Sequence, residues 1–394
     1  MRLNAKELSR FITLEGVEKV VPVLQECFRL HEEGKPGGVS PDDFSLRQLF
    51  VNLVENGYEA LEFYNPVNQG NQSILAQEAN VDTTLFANIT GQIAFAKIHQ
   101  GFKNGDYVVS GLVPNMPSPF LDGEKVPGIA QLGDDAAVVA EGNAFPESTF
   151  GEEYTNLPGT TKRGNIVPVT KEAVFADRTR LVLKRAFQVG EFLGLNKEKR
   201  LCDVVIGATN NYSRNGVASD TYQTAAPWIN RLQQALTDWT SLEAAEHLFS
   251  EMVDPNTGEP IGIGGKKLLV TEFKIRTAQR IAGALQIRTV ENGVETISNN
   301  NMQTYAPVAS KVLYSRLKAA GETAANAKKM WFTGDFSKAF GYVENWGISV
   351  VQSPQNTGRD FTHDIVTEVK ASERGAAAVV EPREVIKCQE HALA

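Results

Sequence analysis

Apolar residues along this chain recur mostly at helical spacing, and the most legible stretch runs from Asn165 to Gly207. Val174, Leu181, Phe187 and Leu193, with Val182 and Val189, share a helical period, while Asp177, Lys184, Arg185 and Glu191 fill the other faces. Thr170 is placed to cap this helix, Glu172 puts a negative charge in its first turn, and Gly194 offers a stop. The pattern predicts one helix over Thr170–Gly194, about 35 Å of rod for a rise of ~1.5 Å per residue. A buried strand is expected after it at Asp203–Ile206, and a Pro- and Gly-punctuated arm before it.

Residues 1–65 also carry helical stripes: Val17, Val20, Val21, Leu24, Cys27 and Phe28, then Leu46, Leu49, Phe50, Leu53 and Val54. Asn4 with Glu7 reads as a capping box, and Ser40-Pro41 as a second helix start. A polar linker follows, then a short helix within Val81–Gln100 using Leu85, Phe86, Ile89, Ile93 and Phe95, and a strand at Asp106–Leu112. From Val126 to Asn165 glycines, prolines and polar residues recur without period. A connection this long fits a projecting hairpin, or an arm whose apolar anchors Phe145, Phe150 and Tyr154 press into a neighbour.

Asn210–Thr237 is loop-rich, and Thr240 with Glu243 offers a capping box for a helix over Leu242–Met252. A strand at Lys267–Val270 is followed by a helix Glu272–Leu285 capped by Thr271. Asn292-Gly293 predicts a hairpin between Arg288–Val290 and Val294–Ile297. Another helix is expected over Pro307–Ala320, then strands at Met330–Thr333, Phe336–Tyr342, Trp346–Gln352, Phe361–Ala371 and Ala376–Val380. Helices and strands mix without a regular strand–helix repeat, so the class is α+β rather than doubly wound α/β.

With 394 residues, 42% of them hydrophobic, the chain has material for two or three cores. A net charge of -8 argues against a basic nucleic-acid-binding surface, yet suits a wall that encloses DNA without adhering to it. Cys27, Cys202 and Cys388 share no metal-binding or redox spacing and read as reduced thiols. MRLNAKELSRF lacks the apolar core of a signal peptide, and no apolar run reaches membrane-spanning length. A soluble product of the cytoplasm is the expectation.

Candidate chemistry is thin. Gly262-Ile-Gly264-Gly265-Lys266-Lys267 could cradle phosphate, but Pro260 stands where a P-loop needs glycine, no Ser or Thr follows the lysine, and a strand follows the loop. A Gly-rich turn is the better reading. His363-Asp364 has no marked nucleophile beside it, and Asp134-Asp135 and Glu152-Glu153 are acidic pairs whose spacing alone predicts no metal. Lys197-Glu-Lys-Arg200 is read as a basic cluster facing a helix C-terminus or a carboxylate. No catalytic, cofactor-binding or metal-binding residue is assigned.

Several stretches are similar to capsid proteins of phages and prophages: VDTTLFANITGQI from Val81, NIVPVTKEAVFADRT and VGEFLGLNKEKR, WTSLEAAEHLFSEMVDPNTGEPI, and FTHDIVTEVKASERGAAAVVEPREVIKC. Over most of residues 81–394 the order of parts resembles a tailed-bacteriophage major capsid protein of the Hong-Kong-type icosahedral shell fold. The resemblance implies an N-terminal helical segment and linker at 1–80, an N-arm at 81–125 and a projecting E-loop at 126–168. It further implies a peripheral domain with the spine helix at 169–227, an axial domain at 228–346, and return strands of the peripheral domain at 347–394.

It also implies a non-enzymatic subunit without cofactors that self-assembles into pentamers and hexamers of a head enclosing double-stranded DNA. Scaffold, portal and decoration proteins are the implied partners, with no membrane. The implied location is the virion, after assembly in the host cytoplasm. Some members crosslink through a Lys–Asn bond; Lys162 lies in the implied loop, but no crosslink residue is assigned. The alternatives are an encapsulin-type nanocompartment, a tail or sheath component, and a nucleotide- or metal-dependent enzyme using the Gly262–Lys267 loop.

Overall fold

The computed structural model describes residues 8, 19–53, 58, 83–105, 107–127, 139, 141, 154–225, 228–253, 258, 260–262, 267–291, 294–353 and 365–392. In chain order the helices are α1 Val20–Glu32, α2 Leu46–Leu53, α3 Thr83–Lys103, α4 Val108–Leu112, α5 Lys171–Phe175, α6 Thr179–Val205, α7 Trp239–Ser250, α8 Ile275–Gly283, α9 Lys311–Ala319, α10 Ala324–Ala327 and α11 Phe336–Ala339. The strands are β1 Asn115–Pro117, β2 Lys125–Pro127, β3 Tyr154–Asn156, β4 Thr161–Thr170, β5 Ser213–Arg214, β6 Val217–Ala218, β7 Arg231–Gln233, β8 Lys267–Thr271, β9 Gln286–Glu291, β10 Val294–Asn299, β11 Ala306–Ser310, β12 Trp331–Gly334, β13 Phe340–Gln352, β14 Ile365–Val379 and β15 Val385–Gln389. Helices and strands mix without regular alternation, the α+β class expected. Two compact units form, one from residues 1–105, 162–195 and 346–373, the other from 106–161, 196–345 and 374–394.

In the first unit α1, α2 and α3 bury the apolar stripes that their sequences predict. Leu24, Phe28, Leu49, Phe50, Phe86, Ile89 and Ile93 share one core with Val182 and Leu183 of α6. Phe50 meets Phe86 edge-on at 5.0 Å. Ser40 forms the capping box read at the second helix start, although the helical turn there is a short 3-10 segment, Pro41–Asp43. Lys97 of α3 reaches Asp42 at 2.5 Å. The Asn4–Glu7 capping box lies outside the described residues.

Thr170 caps its helix as expected, accepting from the Ala173 amide. The single helix predicted at Thr170–Gly194 is nonetheless two helices, broken at Asp177, whose φ of 45° is left-handed. The break is held from α2: the Asp177 carboxylate accepts from Ser45 Oγ at 2.9 Å and Thr179 Oγ1 at 2.6 Å, and Thr179 Oγ1 accepts the Leu46 amide at 2.8 Å. Nothing in the local period signals these long-range partners.

Gly194 does not stop α6, which runs on through the Asp203–Ile206 stretch expected to be a strand. A glycine inside a helix costs about 1 kcal/mol relative to alanine, but α6 needs small residues. A Cβ on Gly190 would lie 1.9 Å from the Ile98 carbonyl oxygen of α3, and one on Gly101 of α3 would lie 2.1 Å from the Phe187 carbonyl oxygen. The two backbones cross with nothing between them. Leu181, placed on the apolar stripe by sequence, is instead 43% exposed, and Phe95 is 37% exposed.

The second unit is built on a five-stranded sheet in the order β11-β8-β12-β15-β7. β8 pairs antiparallel with β12 and parallel with β11, and β12 pairs antiparallel with β15. All four residues of β12 are buried. One face carries Leu269 and Phe332 against Leu201, Val204 and Val205 of α6 and Leu313 and Leu317 of α9. The other carries Leu268, Val270, Trp331 and Ile386 against Leu242 and Phe249 of α7 and Ile281 of α8.

Several local expectations change here for tertiary reasons. Asp106–Leu112 holds helix α4 rather than a strand, because the buried Glu198 carboxylate accepts the Val109 and Ser110 amides at 2.9 and 2.8 Å. α7 is capped by Asp238, with Ser241 completing the box, rather than by Thr240 and Glu243. Thr271 donates to the Lys328 carbonyl instead of capping α8. Pro307 lies in β11, so only the later part of Pro307–Ala320 is helical. Phe336–Ala339 is a helical turn leading into β13 rather than a strand.

Lys387 of β15 is held inside the second unit. Its Nζ donates to the Ile206 carbonyl at 2.8 Å, at the end of α6, and lies 5.4 Å from the Tyr222 ring centre. Burial, reinforced by Arg231, pulls its pKa down to about 8.

Two outcomes follow from this packing. Gly190→Ala raises helix propensity yet lowers the chain's stability, by about 1–3 kcal/mol for overpacking, because the Ile98 carbonyl must move; a denaturant titration showing stabilisation would contradict the crossing. Lys387 loses its proton near pH 8 when folded but keeps it to about 10.5 when unfolded. The unfolded chain therefore binds more protons between those values, and stability rises with pH there. Relative to Lys387→Met, the wild type gains up to ~3 kcal/mol between pH 8 and 10.5; a pH-independent difference would show the amine to be solvated.

Candidate assembly site

Residues suspected of chemistry do not converge among the described part of the chain. A Cβ added at Gly262 would meet nothing within 4 Å, and the chain enters strand β8 at Lys267, as the turn reading requires. Gly264, Gly265 and Lys266 lie outside the described residues, as do Asp134, Asp135, Glu152, Glu153, His363 and Asp364. No cluster of three or more metal-ligating side chains occurs among the described residues. No helix among them is long and apolar enough to cross a membrane. A cleft of about 220 Å³ between α1 and α3 is lined by Phe28, Arg29, Gln92, Phe95, His99 and Lys103. Burial and the nearby Lys103 lower the pKa of His99 there. Arg29 and Lys103 are already committed to Glu26 and Glu32.

The Lys197–Arg200 cluster sits inside α6, not beyond its end, and it is structural. Glu198 is fully buried on α4. Lys197 Nζ donates to Asn115 at 3.0 Å and lies 4.0 Å from the Tyr342 ring centre. Arg200 donates to the Tyr342 hydroxyl at 3.0 Å and to the Gly375 carbonyl at 3.2 Å. Downstream, Asp203 takes both arms of Arg316 at 2.6 and 2.8 Å. The helix-end role expected of this cluster falls to Lys387, which no local pattern marks. Lys162 is exposed on β4.

What the second unit does present is a pinned excursion of the chain. β2 and β3 pair antiparallel, with Lys125 opposite Asn156, Val126 opposite Thr155 and Pro127 opposite Tyr154. Residues 128–153 therefore leave and return at one rung. The root is apolar beneath, where Leu157 packs with Val343 and Ala378, and Met116, Val126 and Val380 close around them.

Polar groups fasten the same root from both sides. The Asn345 amide donates to the Ser118 carbonyl at 2.7 Å and the Phe120 carbonyl at 2.8 Å, and its oxygen accepts from Thr160 Oγ1. Arg374 donates to Thr160 Oγ1 at 3.0 Å and to its carbonyl at 3.2 Å. Asn215 accepts the Tyr154 amide at 3.0 Å and donates its own amide to the Tyr154 carbonyl at 2.9 Å. Asn345 thus bonds both the outgoing and the returning chain. Sequence reading finds the excursion by its missing period but not Asn345, since nothing nearby marks it.

Large apolar side chains remain on the surface where no described element of this chain covers them. Phe120 is 56% exposed beside the root, Phe192 56% on α6, and Leu285 77% at the base of the β9–β10 ribbon. That ribbon is a two-stranded sheet of its own, with Val294 opposite Glu291 across the predicted Asn292-Gly293 turn. Isolated two-stranded ribbons are marginal in water. Such features suit surfaces completed by other chains.

Comparison with known proteins supplies the family. No curated protein matches the chain. Among solved structures, one from Gordonia phage Cozz is 14% identical with a TM-score of 0.44, covering 73% of this chain and 87% of that one. The capsid of the cyanophage P-SCSP1u is 12% identical with a TM-score of 0.44, covering 70% and 85%. An encapsulin complex from Synechococcus elongatus PCC 7942 is 10% identical with a TM-score of 0.42, covering 74% and 92%. The model of the family described as phage capsid protein matches residues 154–388, more than half of the sequence. The chain belongs to the phage capsid protein family, and its α+β architecture is that of a Hong-Kong-type major capsid protein.

Proposed function

We propose that this major capsid protein forms the pentamers and hexamers of an icosahedral head that encloses double-stranded DNA. Family membership supports the shell, and the β2–β3 rung is the observation that carries the mode of assembly. A segment that leaves and returns at one pinned rung, with glycines and apolar anchors between, is built to reach a neighbouring copy. In this reading residues 126–168 are the projecting E-loop, following an N-arm at 81–125. The peripheral domain holds α6 as its spine, 228–346 is the axial domain, and 347–394 returns to the peripheral domain.

Rings and then a closed shell follow from heterologous contacts that close. Contacts spread over arms need no cofactor and no catalytic residue, and the subunit acts without being an enzyme. A net charge of -8 keeps the wall from gripping the phosphate backbone. Scaffold and portal proteins supply nucleation and an entrance for DNA, and assembly takes place in the host cytoplasm before the protein resides in the virion.

Negative-stain images of purified protein, with scaffold and portal partners supplied, test this directly. Closed particles are expected. Persistent monomers, tubes, or particles filled with protein cargo in place of DNA would overturn it. Replacing residues 129–152 by a short Gly-Ser turn should leave a folded, soluble subunit that builds no shells; normal particles would remove the loop from assembly. Asn345→Ala, which frees two carbonyls at the root, should cost about 1–3 kcal/mol of stability and slow assembly, whereas an unchanged melt and assembly rate would show that the root is held by β2–β3 pairing alone.

A further inference from the structure

One face of α6 is written against the rules for an isolated helix. Arg180, Lys184 and Arg185 all point to solvent, and Arg178 just before the helix does too. At 100° per residue Arg180, Leu181, Lys184, Arg185, Gln188 and Phe192 fall on one arc. This is the side opposite Val182, Leu183, Ala186 and Leu193, which are buried. The face spans about 18 Å for ~1.5 Å per residue.

Its cations sit at the positive end of the helix dipole, where acids are favoured, and α6 has no acidic residue in its first turn. Arg180 and Lys184 also stand four residues apart with like charge, which is unfavourable in an isolated helix. Among the described residues none of these four side chains has an ion-pair partner. Elsewhere in the same unit Arg29, Lys97 and Lys103 are each paired, with Glu26, Asp42 and Glu32. Leu181 and Phe192, 43% and 56% exposed, flank the charges. The acid on this face, Glu191, is half-buried at its edge.

The sequence contains a matching segment. Between Val126 and Thr161 there are Asp134, Asp135, Glu141, Glu147, Glu152 and Glu153, and no lysine, arginine or histidine at all. Apolar residues, Ile129, Leu132, Phe145 and Phe150, are spaced among the acids. The segment is thus acidic and apolar in alternation, as the α6 face is basic and apolar.

We propose that the Arg180–Phe192 face of α6 is the docking surface for the acidic 128–153 segment of a second copy of this chain. The proposal rests on the reading of that segment as a projecting loop and names what receives it. Complementary charge sets the register and speeds encounter, while Leu181 and Phe192 are covered by apolar residues of the loop. The unfavourable charges of the free subunit are relieved only on assembly, so the contact favours the shell over the monomer.

The test uses the full chain in two charge-reversal forms and a labelled peptide of residues 128–153. Arg180→Glu with Lys184→Glu and Arg185→Glu should raise the concentration needed for assembly by roughly tenfold or more, and wild-type assembly should weaken as salt screens the contact. Asp134→Lys, Asp135→Lys, Glu152→Lys and Glu153→Lys should do the same. Combining both sets should restore assembly to within about threefold of wild type. Melting of the unassembled α6 variant should be unchanged or raised.

An α6 variant that assembles at the wild-type concentration overturns the proposal. So does one that forms normal shells lacking DNA, which would make nucleic acid the occupant. A lowered melting temperature with unchanged assembly would assign the face to the chain's own loop. If the wild type forms no particles, the proposed function fails separately, and peptide anisotropy still decides: binding to the wild-type chain and at least about tenfold weaker binding to the α6 variant supports the face, and equal binding refutes it.

Discussion

Two helices that touch backbone to backbone set the geometry of the first unit. With Gly190 against the Ile98 carbonyl and Gly101 against the Phe187 carbonyl, α3 and α6 are locked at a separation no larger residue permits. The register of that crossing fixes which sides of α6 face inward, namely Val182, Leu183, Ala186 and Leu193. It also fixes what is left outside. Leu181, Phe192 and the cations between them are on the surface because the opposite side is consumed by the crossing. The exposed face is a consequence of the fold, and its composition is a separate choice that the fold does not require.

Most of the elements can be read from period alone, and the exceptions have identifiable causes. α3 and the β9–β10 hairpin follow local rules, as does the Thr170 cap, and they stand where those rules put them. The break at Asp177 does not, because its partners Ser45 and Thr179 are set by the packing of α2. α4 is a helix only because Glu198, far along the chain, satisfies its first amides. Gly194 reads as a stop, but a glycine continues a helix where close packing outweighs propensity. At the assembly site, the long aperiodic segment is visible in sequence. Asn345 and the arc of cations on α6 are not, since one acts through long-range hydrogen bonds and the other is recognised only once the buried side of the helix is known.

The functional picture is one of surfaces rather than chemistry. The most deeply buried charges, Glu198 with Lys197 and Glu381 with Arg383, are bonded into the framework. A polar root holds the start and end of one excursion at a single rung, and the excursion is uniformly acidic. A phage capsid protein needs a folded body that stays soluble alone and gains its strongest contacts only between copies. An arm without a core of its own and a helix face whose cations lack partners among the described residues meet that need together.

Hydrogen–deuterium exchange on free subunits and on purified particles tests this pairing most directly. The account predicts that peptides from residues 128–153 and from the outer face of α6, residues 180–192, become protected together on assembly. The buried core around Phe50 and Phe86 should exchange alike in both states. Particles in which 128–153 becomes protected while 180–192 exchanges as it does in the free subunit would contradict it.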